Sequence, residues 1–262
     1  MRHVLLIGGP PASGKTTIAT RLARRHGLRW YNADARTWAH RDRAIAQGNA
    51  AAIRWETMPP EERAALAPTD ALELSLHRER GSMVVDDLWA LPRMPLVVAE
   101  GSTLPAAAVQ DRGRALWLIP TPEFQRAQLE GRGLPHGVRA LCLLLSDTIE
   151  REARKHDVPI HVVGGEPGIG ATVAAVERQF EAALAEGPLA ETAAERRALL
   201  REANEAVVAQ VRGYYARPWA EGDSEVVVRT FVCECGDRAC EASVDVRVAA
   251  AAEAPVLAHT HG

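Results

Sequence analysis

The chain has 262 residues, 47% of them hydrophobic and 25% charged, with a formal net charge of −3. That length suits one medium α/β domain plus a smaller unit, and a slightly acidic balance argues against a dedicated nucleic-acid binder, which needs a basic face. No apolar run approaches the roughly 18 residues that a membrane helix requires.

The first predicted element is the apolar run "HVLLI" at 3–7, suited to a buried parallel strand. So short an apolar run leading straight into a glycine-rich loop does not read as a signal peptide. The next stretch, "GGPPASGKTT", has Gly9, four residues, then Gly14-Lys15-Thr16. This is phosphate-loop spacing, in which glycines let successive backbone N–H groups turn toward a phosphate. Lys15 is then expected to reach the β/γ oxygens, and the Thr16 hydroxyl to take a Mg²⁺ position. Ala12, Ser13 and Thr17 complete the expected cradle. Ile18 and Leu22 at helical spacing, with Gly27 as a stop, predict that the loop opens a helix whose amino-terminal amides favour an anion. Lys15 and Lys155 are the only lysines in a chain rich in alanine and arginine, a bias that suggests a GC-rich bacterial source and makes the surviving Lys15 informative.

"LRWY" at 28–31 predicts a second strand, followed by a long helix-rich, tryptophan-bearing insert over 35–91. "PLVVAEG" (95–101), "ALWLIP" (115–120) and "PIHVV" (159–163) complete five candidate strands, and their alternation with helices predicts a parallel sheet. Phosphoryl transfer asks for positioning, Mg²⁺, positive charge at the γ-phosphate and a carboxylate to orient the acceptor hydroxyl. In open α/β sheets such groups sit at the carboxyl ends of strands. Asp34 follows the second strand and is read as the base or hydroxyl-orienting group, against the competing reading of a helix N-cap. Glu100 closes the third strand and is read as supporting Mg²⁺ through water, or the acceptor. "SMVVDDLWALP" can be read as a strand ending in Asp86 and Asp87, but Val84, Leu88 and Leu91 favour a helix. Trp30, Trp38, Trp55 and Trp89 lie in or near the acceptor region and can stack on a ring or serve as core.

"TPEFQRAQLEGRG" has a cap followed by a first-turn proline and glutamate, and predicts a helix. Arg126, Arg132 and Arg139 then offer a cationic lid, with Arg132 in the broken loop "GRGLPHG" the preferred candidate. "GGEPGIG" has small residues against which an adenine ring can pack. A further helix is expected to run to about 186, then a linker over 186–192, a long amphipathic helix, and two strands around a Cys-rich turn. Cys233, Cys235 and Cys240 cluster there, which in a reducing cytosol points to metal rather than disulfides. His259 or His261 would complete a tetrahedral Cys₃His zinc site of structural type, the alternative being a reduced hairpin. Residues 186–262 carry 8 Arg against 13 Asp and Glu, so protein contact, dimerisation or covering the active site is expected of this module rather than DNA binding.

On "GGPPASGKTT", "VVAEGSTLPAA", "ALWLIPTPEFQRAQLEGRG" and "IEREARKHDVPIHVVGG", residues 1–185 resemble P-loop kinases of the nucleoside/nucleotide and small-metabolite type. The resemblance implies a five-stranded parallel sheet of order 2-3-1-4-5 and transfer of the γ-phosphate of ATP to a small acceptor. It implies phosphate-binding roles for Gly9, Gly14, Lys15 and Thr16, and site roles for Asp34, Glu100 and Arg132. The lid looks short and the insert idiosyncratic, so a nucleoside, sugar or natural product remains open as the acceptor. A nucleoside monophosphate also remains open, with Arg36, Arg41, Arg43 and Arg54 available to clamp its phosphate. A reading of another class is a nucleotide-gated binding module. The Cys-rich tail, residues 186–262, resembles a small "FVCECGDxxC" module of actinobacterial proteins. A cytoplasmic protein, with a homodimer left open, is the expected setting.

Overall fold

The computed structural model describes residues 1–259. Its centre is a sheet of five parallel strands: β1 (Val4–Gly8), β2 (Arg29–Asn32), β3 (Val97–Gly101), β4 (Ala115–Pro120) and β5 (Ile160–Val163). They lie in the order β2-β3-β1-β4-β5. Helices cover both faces, which is why β1, β3 and β4 are buried throughout and read as unbroken apolar runs.

Successive side chains on a strand alternate between faces, and each face has its own core. Leu5 and Ile7 of β1 face one cluster with Ile18 and Leu22 of α1 (Lys15–His26), and Val173, Val176 and Phe180 of α9 (Ile169–Glu186). Val4 and Leu6 face the other, with Val84 and Leu88 of α6 (His77–Ala90) and Ile149 and Ala153 of α8 (His136–Lys155). The helical reading of "SMVVDDLWALP" is therefore right. Thr121 caps α7 (Pro122–Gly131) by accepting from the Phe124 N–H, with Pro122 in the first turn, as the sequence predicts.

The insert between β2 and β3 folds as α2 (Thr37–Ala46), α3 (Ala50–Thr57), α4 (Pro60–Ala64), α5 (Pro68–Leu74) and α6. It is fastened to the far end of the chain. After α10 (Ala193–Tyr215), Arg217 donates both Nη groups to Asp42 at 2.5 and 2.9 Å. Trp38 packs within 5.7 Å of the Tyr214 and Trp219 rings, and Arg63 lies 3.9 Å over Trp219. Trp38 and Trp55, candidates for stacking on an acceptor, are occupied instead by these aromatic and arginine neighbours. Trp30 is core, and Trp89 is exposed.

The hairpin β6 (Val228–Val232) and β7 (Ser243–Arg247) follows, and α11 (Val248–Glu253) leads toward the terminus. Val208 and Val211 of α10 form a small core with Phe231, Val248 and Ala251. Leu200 and Ala203 of the same helix, and Val232, join the α1-side core of the large sheet. Packing thus runs continuously across residue 186. Among the described residues no helix is long and apolar enough to cross a membrane.

Leu200 tests this continuity. Leu200→Ala should cost about 2–5 kcal/mol and lower the urea midpoint of one cooperative transition reported by the sheet's own tryptophans. A wild-type midpoint from those tryptophans would mean that α10 docks without sharing the core.

Candidate active site

Strand register assembles the site. Gly8 pairs with Gly101, and Asn32 pairs with Glu100. The residues that follow β1 and β2, and the last residues of β3, therefore meet at one carboxyl edge.

The loop leaving β1 needs its glycines. Gly9 has φ +139°, and a Cβ there would lie 2.3 Å from the Leu118 carbonyl oxygen. Gly14 has φ +82° and caps α1, and a Cβ there would meet nothing within 4 Å, so its outer side is open. Ala12 also takes a left-handed conformation, φ +66°. Among the described residues, the backbone N–H groups of residues 12–17 donate to no acceptor, and the first turn of α1 has no acidic residue. Unpaired amides at a positive helix end make a cradle for an anion. Lys15 is buried and arches over the loop, donating to the Pro10 carbonyl at 2.7 Å and more weakly to Ser13 Oγ at 3.4 Å. Burial lowers its pKa, and the Glu100 and Asp34 carboxylates oppose that.

Thr16 Oγ1 donates to Glu100 Oε1 at 3.1 Å. Glu100 is fully buried and its Oε2 has no partner. Burial and the nearby Asp34 charge raise its pKa to about 7, against the pull of Lys15 and the Thr16 hydroxyl. The Trp30 indole N–H lies close by but outside hydrogen-bond geometry. A hydroxyl beside a half-satisfied buried carboxyl is a donor set that fits a hard cation such as Mg²⁺.

Asp34 opens a short 3₁₀ turn and is exposed. The capping duty belongs to Asn32, whose Oδ1 accepts from the Asp34 and Ala35 amides at 2.8 and 3.2 Å. That leaves the Asp34 carboxylate without a hydrogen bond or ion pair among the described residues. Arg80, which sequence reasoning passed over, is buried and donates to the Ala33 carbonyl at 2.8 Å, with Asp34 as its main favourable charge. Its signal was present, an arginine four residues from both Leu76 and Val84 on the apolar stripe of α6. Gln125 was also missed. Its amide donates to the Pro11 carbonyl at 2.9 Å and to Ser146 Oγ at 2.6 Å, tying α7 and α8 to the loop.

Arg132 is the exposed C-cap of α7, has no ion pair among the described residues, and its charge is felt by Lys15. Arg126 pairs with Glu123 on the surface, and Arg139 is half-buried on α8. Asp87 accepts from Tyr31 Oη at 2.7 Å and His40 Nε2 at 2.9 Å, while Asp86 pairs with Arg43, so both hold the insert together. Beyond Glu100, the loop residues Ser102 and Thr103 line a cavity of about 220 Å³ with His77, Arg78, Trp117 and Thr148. Burial and Arg80 hold His77 down to about 4, so it is neutral at pH 7. In the segment after β5, Gly165, Gly168 and Gly170 face open space.

The Sγ atoms of Cys233, Cys235 and Cys240 lie within 4.8 Å of one another. Cys233 and Cys240 are buried, and the trio can bind a metal ion. The Ala258 N–H donates to Cys233 Sγ at 3.3 Å, which brings the segment after α11 against the cluster. His259 is exposed and is not within the group, and His261 lies outside the described residues. No protein-family model and no curated protein matches the chain.

The Glu100 carboxyl has a pH consequence. Its folded pKa of about 7 exceeds the ordinary 4.5, so the stability it lends is full below about pH 4.5 and is lost as pH rises through 7. Glu100→Gln removes that loss, and urea unfolding without divalent ions should show the variant gaining on wild type by on the order of 2–3 kcal/mol between pH 4.5 and 8. A difference that does not vary with pH would contradict the buried, neutral carboxyl.

Proposed function

We propose that the chain is an ATP-dependent phosphotransferase that moves the γ-phosphate to a hydroxyl of a small molecule. The observation that carries this reading is the free Asp34 carboxylate standing at the same sheet edge as an amide cradle, Lys15, and the Thr16–Glu100 pair. The sheet order matches what the resemblance to P-loop kinases implies.

In this reading the amides of residues 12–17 hold the β-phosphate, and Lys15 leaves the Pro10 carbonyl to contact the β/γ oxygens. Thr16 and Glu100 would hold Mg²⁺, which neutralises charge building on the transferring group. Asp34 orients the acceptor hydroxyl and takes its proton. Arg80 keeps the turn that bears Asp34 in place through Ala33. Arg132, on an exposed turn, supplies the mobile positive charge.

The cavity beside Ser102 and Thr103 supports an uncharged acceptor. Its walls combine apolar side chains and hydroxyls with one arginine, Arg78, and one glutamate, Glu152, of opposite charge, and His77 is neutral. Four insert arginines that a nucleoside monophosphate would call on are already engaged, although Arg78 lines the cavity. Arg41 donates to the Leu74 carbonyl, Arg43 pairs with Asp86, Arg54 with Glu62, and Arg36 lies over Tyr31. The cysteine trio takes zinc, because three thiols in one knuckle suit a tetrahedral ion of borderline softness. Four free cysteines fit a reducing cytosol.

The test is ADP release with a panel of alcohols and of nucleoside monophosphates, with mass spectrometry of whichever product gains a phosphate. Asp34→Asn should lower turnover by ~10²–10⁴-fold while leaving Mg–ATP affinity nearly unchanged. Turnover within a few-fold of wild type would remove Asp34 from the chemistry. ATP binding without transfer to any acceptor would favour a nucleotide-gated binding module.

A further inference from the structure

Arg24 sits in the last turn of α1, the helix that begins at the phosphate loop, and only 5% of it is exposed. Its guanidinium reaches into the cysteine knuckle. Nη1 donates to the Cys240 carbonyl at 2.7 Å and lies 3.9 Å from Cys240 Sγ. Nη2 donates to the Ala242 carbonyl at 2.7 Å and the Cys233 carbonyl at 3.3 Å. Nε is buried with no acceptor.

What Arg24 lacks is a carboxylate. Among the described residues it forms no ion pair, whereas Arg21 on the same helix pairs with Glu241 at 2.7 Å. Glu234, between two of the cysteines, is committed to Asn204 Nδ2 at 2.7 Å and lies 3.7 Å from Arg201. A guanidinium keeps its charge in proteins, and a buried charge is costly unless a counter-charge stands near it. Carbonyl dipoles supply only part of that. Three thiolates around one divalent ion carry one net negative charge, whichever neutral ligand fills the fourth position. The knuckle is also seated for this purpose. Arg196 and Arg197 of α10 donate to the Gly236 and Cys235 carbonyls, at 2.7 and 2.8 Å. Gly236 takes φ +76° where a Cβ would lie 2.5 Å from the Ala193 carbonyl oxygen.

We infer that Arg24 is the counter-ion of a metal–thiolate centre on Cys233, Cys235 and Cys240, so that the bound metal clamps the far end of the phosphate-loop helix. This rests on the zinc reading above and not on phosphate transfer. Metal loading and the order of α1 are then linked, since the ion supplies the charge that Arg24 needs while the knuckle carbonyls hold the helix end.

The experiment measures zinc affinity of the full-length chain by competition with a chromophoric chelator, with thiol counting to verify reduced cysteines. Arg24→Met should weaken zinc binding about 10–100-fold, Arg24→Lys should recover part of the loss, and Arg21→Met should stay within about three-fold. Should Arg24→Met fail to fold, hydrogen exchange of wild type decides. Stripping zinc should speed amide exchange over residues 18–26 at least ten-fold, and adding zinc back should restore protection. Equal zinc affinity in wild type and Arg24→Met, or exchange in α1 that ignores zinc, overturns the clamp and leaves the zinc site standing. Absence of bound zinc in reduced protein overturns both.

Discussion

The site depends on β3 lying between β1 and β2 in parallel register. Because backbone pairing fixes Gly8 opposite Gly101 and Asn32 opposite Glu100, the chain cannot form the sheet without bringing the glycine-rich loop after β1, the buried Glu100 and the Asp34 turn to one edge. Gly101 permits the closeness, since a Cβ there would stand 2.6 Å from that of Ala33. The Thr16–Glu100 hydrogen bond then links the start of α1 to the end of β3. Burying Glu100 with one oxygen unpartnered works against stability, and such local costs concentrate where a protein must receive a ligand.

Much of this was legible in the sequence because its signals are local. The strands over 97–101 and 115–120 announced themselves as apolar runs, and the tight turn after β1 by glycine spacing that only a particular backbone path requires. Asp34 and Glu100 followed from a general rule about strand ends, and the structure brings them near each other and near Lys15. What stayed hidden was long-range. Nothing near Trp38 tells that Arg217, Tyr214 and Trp219, from the other end of the chain, will occupy it. Gln125 and Arg80 act through backbone carbonyls far away in sequence, and such acceptors leave no residue-type pattern. The order 2-3-1-4-5 came from family resemblance, since periodicity says which segments are strands and not which ones pair.

The Cys-rich tail shows the same limit from another side. The three thiols were visible as a cluster, but their relation to α1 runs through Arg24, 209 residues before Cys233. A segment that composition sets apart as an acidic appendage is packed against α1 through the buried Arg24 and shares Leu200, Ala203 and Val232 with the main core. The two ends of α1 are thus held by different chemistry, an anion cradle at one and a thiol knuckle at the other.

The central claim is that the loop after β1 holds a nucleoside triphosphate through its amides and Lys15. Calorimetric titration of the full-length chain with Mg–ATP tests it most directly. The account predicts saturable binding of one nucleotide per chain that falls at least ten-fold in Lys15→Met while the variant keeps its wild-type melting temperature without nucleotide. No binding by wild type, or equal binding by a well-folded Lys15→Met, would contradict it.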